Sequence, residues 1–558
     1  MKVRSHLLLW LKQSVTQHWP VWVAVAILWA IVGGIWVSFT RQTSAIGPIY
    51  ILDDAYIHMA MARHFSQSFV FGVTPYAFSS SSSSLLWTVL LALGYRIFGV
   101  GQSLPLVFNL FIATGLLVLI ASIYYRSFTN QWGLFFLLIG TVVWSPMVAI
   151  IFSGMEHLLQ ALVTIGLLFE LAAHATSTQP RPTSRLLWLA PLAILVRFES
   201  CALILPGLLV FTRNKQWKTV IQLGGLALLP IVIYAGISLS LGWLPFPNSV
   251  ILKATNASLR PGSIWGFLTI GLERAWSAPY FSSCLLAVGG LLTLQWPNRH
   301  ANPLIFWFSS LFLIAAALHL QFGLVGLFFF RYETYLVITS FLAIGLLGSN
   351  WMQKIQGHQF TVRSSLQFVI PGLLLVGPGW SIGSEGTQKL QAIPQAMTNV
   401  YQQQYQMGRF LARYYSGQSV AANDIGAINY LGNLQILDLA GLASMETARL
   451  RLDRTYTPSN LQHIAQTRQV RIAVLYEKWF VGKIPSQWIK VGEWQIPNNI
   501  ICGDDRVAFF AVVPDECHVL RNNLIEFSAQ LPPGVKASLT NLPSDLQPSS
   551  SDQPSPAR

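Results

Sequence analysis

Charge is scarce in this chain: Asp, Glu, Lys and Arg make up 10% of its 558 residues, and Asp and Glu together number only 21. Soluble domains carry about 25% charged residues, so water is not the main solvent for most of this sequence. Cysteine is scarce as well. Four residues cannot build a disulfide-dense scaffold. The sequence also lacks an internal repeat, a P-loop and any cluster with metal-ligand spacing, which sets aside solenoids, phosphate-loop NTPases and dedicated metal centres. A formal charge of +14 would suit nucleic acid, but the basic residues sit in short clusters between apolar runs. That placement is a topology signal, and no nucleic-acid partner is expected.

What is abundant is apolar sequence, 53% of the chain. Crossing about 30 Å of hydrocarbon takes about 20 apolar residues, and the stretch from Pro20 to Phe39 has that length with no charge inside it. Residues 1–19 carry Lys2, Arg4 and Lys12 and read as a cytoplasmic N-terminus before a retained helix. A cleaved signal peptide would have a shorter apolar core and a small-x-small site after it. Further apolar segments lie near 85–98, 104–125, 131–151, 157–173, 187–196, 201–211, 219–241, 281–296, 303–318, 322–330, 334–348 and 365–382. They give about ten to thirteen crossings, several of the pieces being too short to span unaided. The expected fold class is therefore an α-helical polytopic membrane protein, in a bacterial plasma membrane. Links carrying Arg181 and Arg185, then Arg213, Lys215 and Lys218, then Arg299, then Lys354 and Arg363 are cytoplasmic by the positive-inside rule. Alternation from those links puts residues 40–84, 197–200, 242–280, the region of Arg331 and everything beyond about 384 on the exoplasmic face. It also leaves one segment too many before residue 173, and 85–98 is the candidate for an interfacial or re-entrant piece.

From about residue 384 the composition becomes mixed and polar, with strand-like runs at 435–439 and 470–476. These point to an exoplasmic α/β soluble domain over 384–531, attached to a transmembrane module over 20–383. Residues 532–558 are rich in Pro and Ser and read as a disordered tail. In an exported domain Cys502 and Cys517 are expected to pair, closing a loop worth about 3 kcal/mol, with two free thiols as the alternative.

Chemistry concentrates in the first exoplasmic loop. The run Ile51-Leu52-Asp53-Asp54-Ala55-Tyr56-Ile57-His58 reads as the start of a short helix lying along the membrane surface. Two aspartates there would cap free N–H groups and meet the positive end of the helix dipole, which favours both as anions. On that helix Asp53, Tyr56, Ala60 and Arg63 share one face, and Asp54 and His58 another. Capping needs only one aspartate. The second points to chemistry, since a carboxylate at the bilayer edge can act as general base toward a hydroxyl, which glycosyl transfer to an alcohol requires. An ordinary capped amphipathic helix is the plain alternative. His58, one turn on, would orient Asp54 and make it the preferred base. A phosphate leaving group calls for cations, and the exoplasmic candidates are Arg63, Lys253, Arg331 and Arg197, each of which also reads as a snorkelling anchor. If a divalent cation such as Mg or Mn is used, Asp53 and Asp54 would hold it; the residues assign no cofactor. In the soluble domain Asp424, Asp438, Glu477, Asp504 and Asp505 show no nucleophile–base pairing, and they read as acceptor-binding or supporting groups.

The order of these features resembles the polytopic glycosyltransferases of the GT-C superfamily. In particular it resembles the bacterial branch that is similar to mycobacterial arabinofuranosyltransferases using a polyprenyl-phosphate sugar. The resemblance rests on Asp53-Asp54-Ala55-Tyr56-Ile57 with Arg63, Leu85-Leu86-Trp87, Ser153-Gly154-Met155-Glu156, Arg197-Phe198-Glu199, Pro247-Asn248-Ser249 with Lys253, and Arg331-Tyr332. Asn423-Asp424-Ile425-Gly426 and Asp438-Leu439-Ala440-Gly441 extend it into the soluble part. It implies a catalytic Asp pair, a polyprenyl-phosphate-linked sugar donor used without a nucleotide cofactor, inversion at the anomeric centre, and a glycan, lipid or protein acceptor. Tyr56, His58, Glu156, Glu199 and Asn248 join the basic residues as substrate-site candidates. The chain departs from the branch in its serine run, Ser79–Ser84, and in Phe198 and Ser200 where relatives show Pro and Gly. A polytopic lipid or sugar transporter or flippase is the rival class, but it would place ionisable groups within spans near the midplane.

Overall fold

The computed structural model describes residues 2–43, 45, 47–177, 184–256, 264–356 and 362–541. Arg181 and residues 542–558 lie outside this set, as do the side chains of Lys2, Arg4, Lys12, Lys253, Lys354 and Arg363.

Backbone in hydrocarbon must satisfy its N–H and C=O groups within its own segment, so long apolar runs become helices. Among the described residues, six helices are long and apolar enough to cross: His18–Gln42, Leu104–Tyr124, His157–Thr176, Trp217–Ser240, Pro303–Phe322 and Thr334–Gln353. Two bent pairs, Gln131–Trp144 with Met147–Ser153 and Thr269–Ser277 with Pro279–Asn298, bring the number to eight if each is one span. Leu85–Phe98 and Ser184–Val196 are apolar but short, as the sequence suggested for 85–98. One of the expected apolar runs is not helical: residues 323–333 form turns and bends. Another run, 365–382, belongs to a helix, Val362–Gln402, that continues without a break through the expected boundary at 384. The chain is a polytopic helical membrane protein with a small C-terminal sheet domain.

That domain carries six strands, β1 (Ser419–Ala422), β2 (Gln435–Asp438), β3 (Ile472–Leu475), β4 (Ile489–Gln495), β5 (Arg506–Ala511) and β6 (Lys536–Leu539), in the order β2-β1-β3-β5-β4-β6. β1 is parallel to β2 and β3, and the other neighbours are antiparallel. The sheet therefore runs past Leu531 into the expected tail, because β6 pairs with β4 and Thr540 donates to Val491. Alternation along β1 sends Val420 and Ala422 to one face and Ala421 to the other. The first face shares its core with Ile57, Met61 and Val73 of the first loop, so the soluble domain sits directly on that loop.

This contact changes the character of helix Asp54–Ser68. Expected to lie amphipathically on the membrane surface, it is instead buried around its circumference, from Ala55 to Ala62. Leu85–Phe98 and the short helix Gly426–Leu431 of the soluble domain both pack on it. The serine run is part of the same junction. Ser80 bonds Tyr234, Ser81 donates to the Leu442 carbonyl, Ser82 bonds Thr88, and Ser84 accepts from the Trp87 N–H to start Leu85–Phe98.

The expected disulfide is absent: Cys502 and Cys517 are free thiols. They belong to different cores, Cys517 to the face beneath helix Glu516–Ser528 and Cys502 to the edge of the membrane bundle. There the Cys502 thiol donates to Gln404 Oε1 at 3.1 Å.

Candidate active site

Asp53 stands at the N-cap position of Asp54–Ser68 yet makes no capping bond to its own helix. Its two carboxylate oxygens accept instead from the N–H groups of Gly426 at 2.7 Å and Ala427 at 2.8 Å, in the first turn of Gly426–Leu431. The local cap read from sequence is thus a cap on a helix of the other domain. It demands glycine at 426, because a Cβ there would stand 2.1 Å from the Asp53 carbonyl oxygen. Burial, and then the neighbouring Asp424 carboxylate, push the Asp53 carboxyl up to about 8 against the lowering pull of those two N–H groups.

Asp54 faces the other way. Its Oδ2 meets Arg331 Nη1 at 2.7 Å, and its side chain stays 31% exposed while that of Arg331 is only 4% exposed. Arg331 reaches this point from the turn 323–333, where Phe328, Phe329 and Phe330 take left-handed φ of 49°, 61° and 58°. Three such residues in succession cost about 1–3 kcal/mol each, so tertiary contacts must hold the turn. Phe330 stacks on Tyr280 at 4.5 Å, Lys389 lies over the rings of Phe329 and Phe330, and Glu333 Oε1 accepts from the Gly326 N–H at 2.6 Å. The guanidinium also donates to the Tyr332 hydroxyl at 2.6 Å, and its Nε–H is buried without a hydrogen-bond partner.

Asp53, Asp54 and Arg331, with Ile57, Leu252, Phe328 and Tyr332, line a cavity of about 450 Å³ whose facing wall is the soluble domain. Asp424 lies in that wall, accepting from Tyr476 at 2.5 Å and Gln404 at 3.1 Å. Burial raises it, with the Asp54 charge adding to the effect. The loop after β2 forms the rim: buried Asp438 accepts from the N–H groups of Ala440 and Ala443, both at 2.7 Å, and so closes 438–443 into a tight turn. Asn248 holds that turn by donating to the Gly441 carbonyl at 2.9 Å. Sequence reading placed Asp424 in a separate, supporting role. It also missed Arg451, Tyr456, Trp479 and Lys483, which line the same cavity. Nothing local marks these four; the sheet topology brings them to the first loop.

Arg197 sits in a neighbouring chamber of about 110 Å³ with Glu199 and Ser249. It is buried and bonded to Glu156 and, at 2.8 Å, to Glu199. Gly154, left-handed at φ 69° and pressed against the Tyr50 ring, turns the chain so that Met155 contacts Arg331 at 3.5 Å and Glu156 faces Arg197. His58 Nδ1 lies 3.1 Å from Thr88 Oγ1 and 3.3 Å from Ser82 Oγ, and its Nε2 faces Glu156 at 3.7 Å, while Asp54 meets the Arg331 guanidinium.

Two other predicted residues leave the site. Arg63 donates to the Tyr430 carbonyl at 2.6 Å and Asn433 Oδ1 at 3.0 Å, fastening the first loop to the soluble domain. Tyr56 is buried among Tyr50, Tyr405 and Tyr430. Lys253 belongs to helix Asn248–Asn256. Both oxygens of Asp53 accept from N–H groups and Asp54 Oδ2 from the Arg331 guanidinium, and among the described residues there is no group of three His, Cys, Asp or Glu placed to hold a metal. A larger cavity of about 580 Å³, between 73–79, 241–243 and the soluble domain, contains none of the predicted site residues.

Against known proteins, a family model described as a domain of unknown function (DUF8728) matches residues 395–510. No curated protein matches the chain. The solved structures similar to it include two of ArnT from Cupriavidus metallidurans. The crystal structure bound to undecaprenyl phosphate is 12% identical with a TM-score of 0.48, and the apo crystal structure is 12% identical with a TM-score of 0.47. Each alignment covers 88% of this chain and 98% of the other.

Proposed function

We propose that this protein is a membrane glycosyltransferase of the GT-C kind, moving a sugar from a polyprenyl-phosphate donor to an acceptor hydroxyl with inversion. The observation that carries this reading is the Asp54–Arg331 pair: a carboxylate open to a cavity, held by one buried guanidinium. In the reaction Asp54 takes the proton of the acceptor hydroxyl, whose oxygen bonds to the anomeric carbon as the bond to the phosphate oxygen breaks. The electron pair leaves with the polyprenyl phosphate. Arg331, in the cavity wall, meets the developing charge. Asp53 serves by fixing the soluble domain over the cavity, and no step calls for a metal. The positive-inside reading of the links puts the cavity and the sheet domain on the exoplasmic, periplasmic face. Convergence of the ionisable groups at the junction of loop and domain also favours transfer over transport, which would string them along the spans.

The test is transfer by the purified chain from a radiolabelled polyprenyl-phosphate sugar. Wild type should give lipid phosphate and glycosylated product. Asp54→Asn should bind the donor and release neither, and equal turnover by both would remove the reading.

A further inference from the structure

Trp479 belongs to two cavities. It lies on the turn Glu477–Phe480 after β3, 50% exposed, and it lines both the Asp54 cavity and a second, polar hollow of about 550 Å³. An indole left this open is ordinarily mobile or covered by a partner. Here it is seated. Its ring stands edge-on to Tyr476 at 5.2 Å, and its backbone N–H donates to the Tyr476 carbonyl at 3.0 Å. On one side it rests against bare backbone, since a Cβ on Gly503 would come within 2.3 Å of the ring. Tyr476 is itself fixed by bonds to Gln403 and Asp424, so the seat of the indole is tied to the wall of the Asp54 cavity.

The hollow beyond the ring is rimmed by amides and carboxylates. Gln495 donates to Asp505 at 2.9 Å, Lys478 bridges Asp504 at 2.8 Å and Asp505 at 3.6 Å, and Asn498 is turned outward on a left-handed backbone. A fixed aromatic platform beside planar hydrogen-bonding groups matches a sugar ring, whose C–H face stacks while its hydroxyls bond to the rim. A lipid chain would find no continuous apolar wall there. We propose that Trp479 and the 495–505 hollow form an acceptor subsite for a carbohydrate chain, delivering its terminal hydroxyl to Asp54. This rests on the transferase reading and adds the acceptor class to it.

The experiment is glycan binding by the full chain in lipid nanodiscs. The probes are short oligosaccharides released by mild acid from the envelope polysaccharides of the source organism. Trp479→Ala should bind about tenfold more weakly, the worth of one stacking platform, and Trp479→Phe should recover most of the loss. Gly503→Val, which drives the ring off its seat, should weaken binding as well. Thermal unfolding checks that each variant is folded. Full-strength binding by folded Trp479→Ala, or no binding of these oligosaccharides by wild type, overturns the proposal. Failure of the transferase reading looks different: Asp54→Asn would turn over normally while glycan binding still depended on Trp479.

Discussion

Two buried arginines, Arg197 and Arg331, both lie over the Tyr332 ring, and their surroundings differ. Arg197 meets two carboxylates, Glu156 and Glu199, whereas Arg331 meets Asp54, a tyrosine hydroxyl and a thioether and keeps a buried Nε–H without a partner. One partner of Arg197, Glu156, is sealed away from solvent, whereas its other partner, Glu199, and Asp54 each open onto a cavity. A buried cation with its charge fully matched is scaffold, because removing it strands a carboxylate in a low-dielectric interior. A buried cation with bonding capacity left, beside an accessible base, is where an anionic ligand is recognised. Residue type alone cannot separate the two, since both are candidates for the donor phosphate in the sequence.

The largest effect should fall on Asp54. Asp54→Asn keeps the shape and an acceptor for Arg331 but cannot take a proton, so single-turnover transfer should drop by about 10²- to 10⁴-fold with donor binding retained. Next comes Arg197→Met, which should cost about 3–5 kcal/mol of stability, the penalty for an uncompensated buried charge, read as a lower unfolding temperature in detergent. Arg331→Met should behave in the opposite way. The protein should fold, since Asp54 can be reached by water, yet donor binding in a lipid-phosphate titration should weaken by about 1.5–3 kcal/mol. If Arg331→Met unfolds the chain and Arg197→Met only weakens donor binding, the assignment of the two arginines is reversed.

Much of this site is legible in the sequence because the first loop puts its chemistry in one short run. Two aspartates side by side cannot both be needed as a cap, and that surplus points to chemistry at the pair without saying which of the two carries it. Arg331 is legible as a basic residue beside an exoplasmic span, but its pairing is not, because it depends on a turn of three left-handed phenylalanines that no local rule predicts. The role of Asp53 is hidden for a related reason: its partners, Gly426 and Ala427, lie 373 and 374 residues away. A glycine before a short helix shows its purpose only when a carboxylate from another domain is seen packed against it. Strand β6 is hidden because its sequence looks like the Pro- and Ser-rich tail around it; pairing with β4 supplies the order that composition does not.

The smallest effect concerns the seam between loop and sheet domain, where Asp53 and Asp424 share one wall. An unfolded aspartate titrates near pH ~4, and in the folded chain Asp53 is pushed up to about 8 by burial and by Asp424. A carboxyl raised in this way contributes stability that is complete below its unfolded value and is lost as pH rises through its folded value. Thermal unfolding of the full chain should therefore move to lower temperature as pH rises across that window. Asp424→Asn keeps an acceptor for Tyr476 but removes the second carboxylate, which should bring Asp53 down and make the decline shallower. A decline of unchanged steepness in Asp424→Asn would mean that burial alone raises Asp53, and that Asp424 acts on the cavity through Tyr476 and Gln404 and not through its charge.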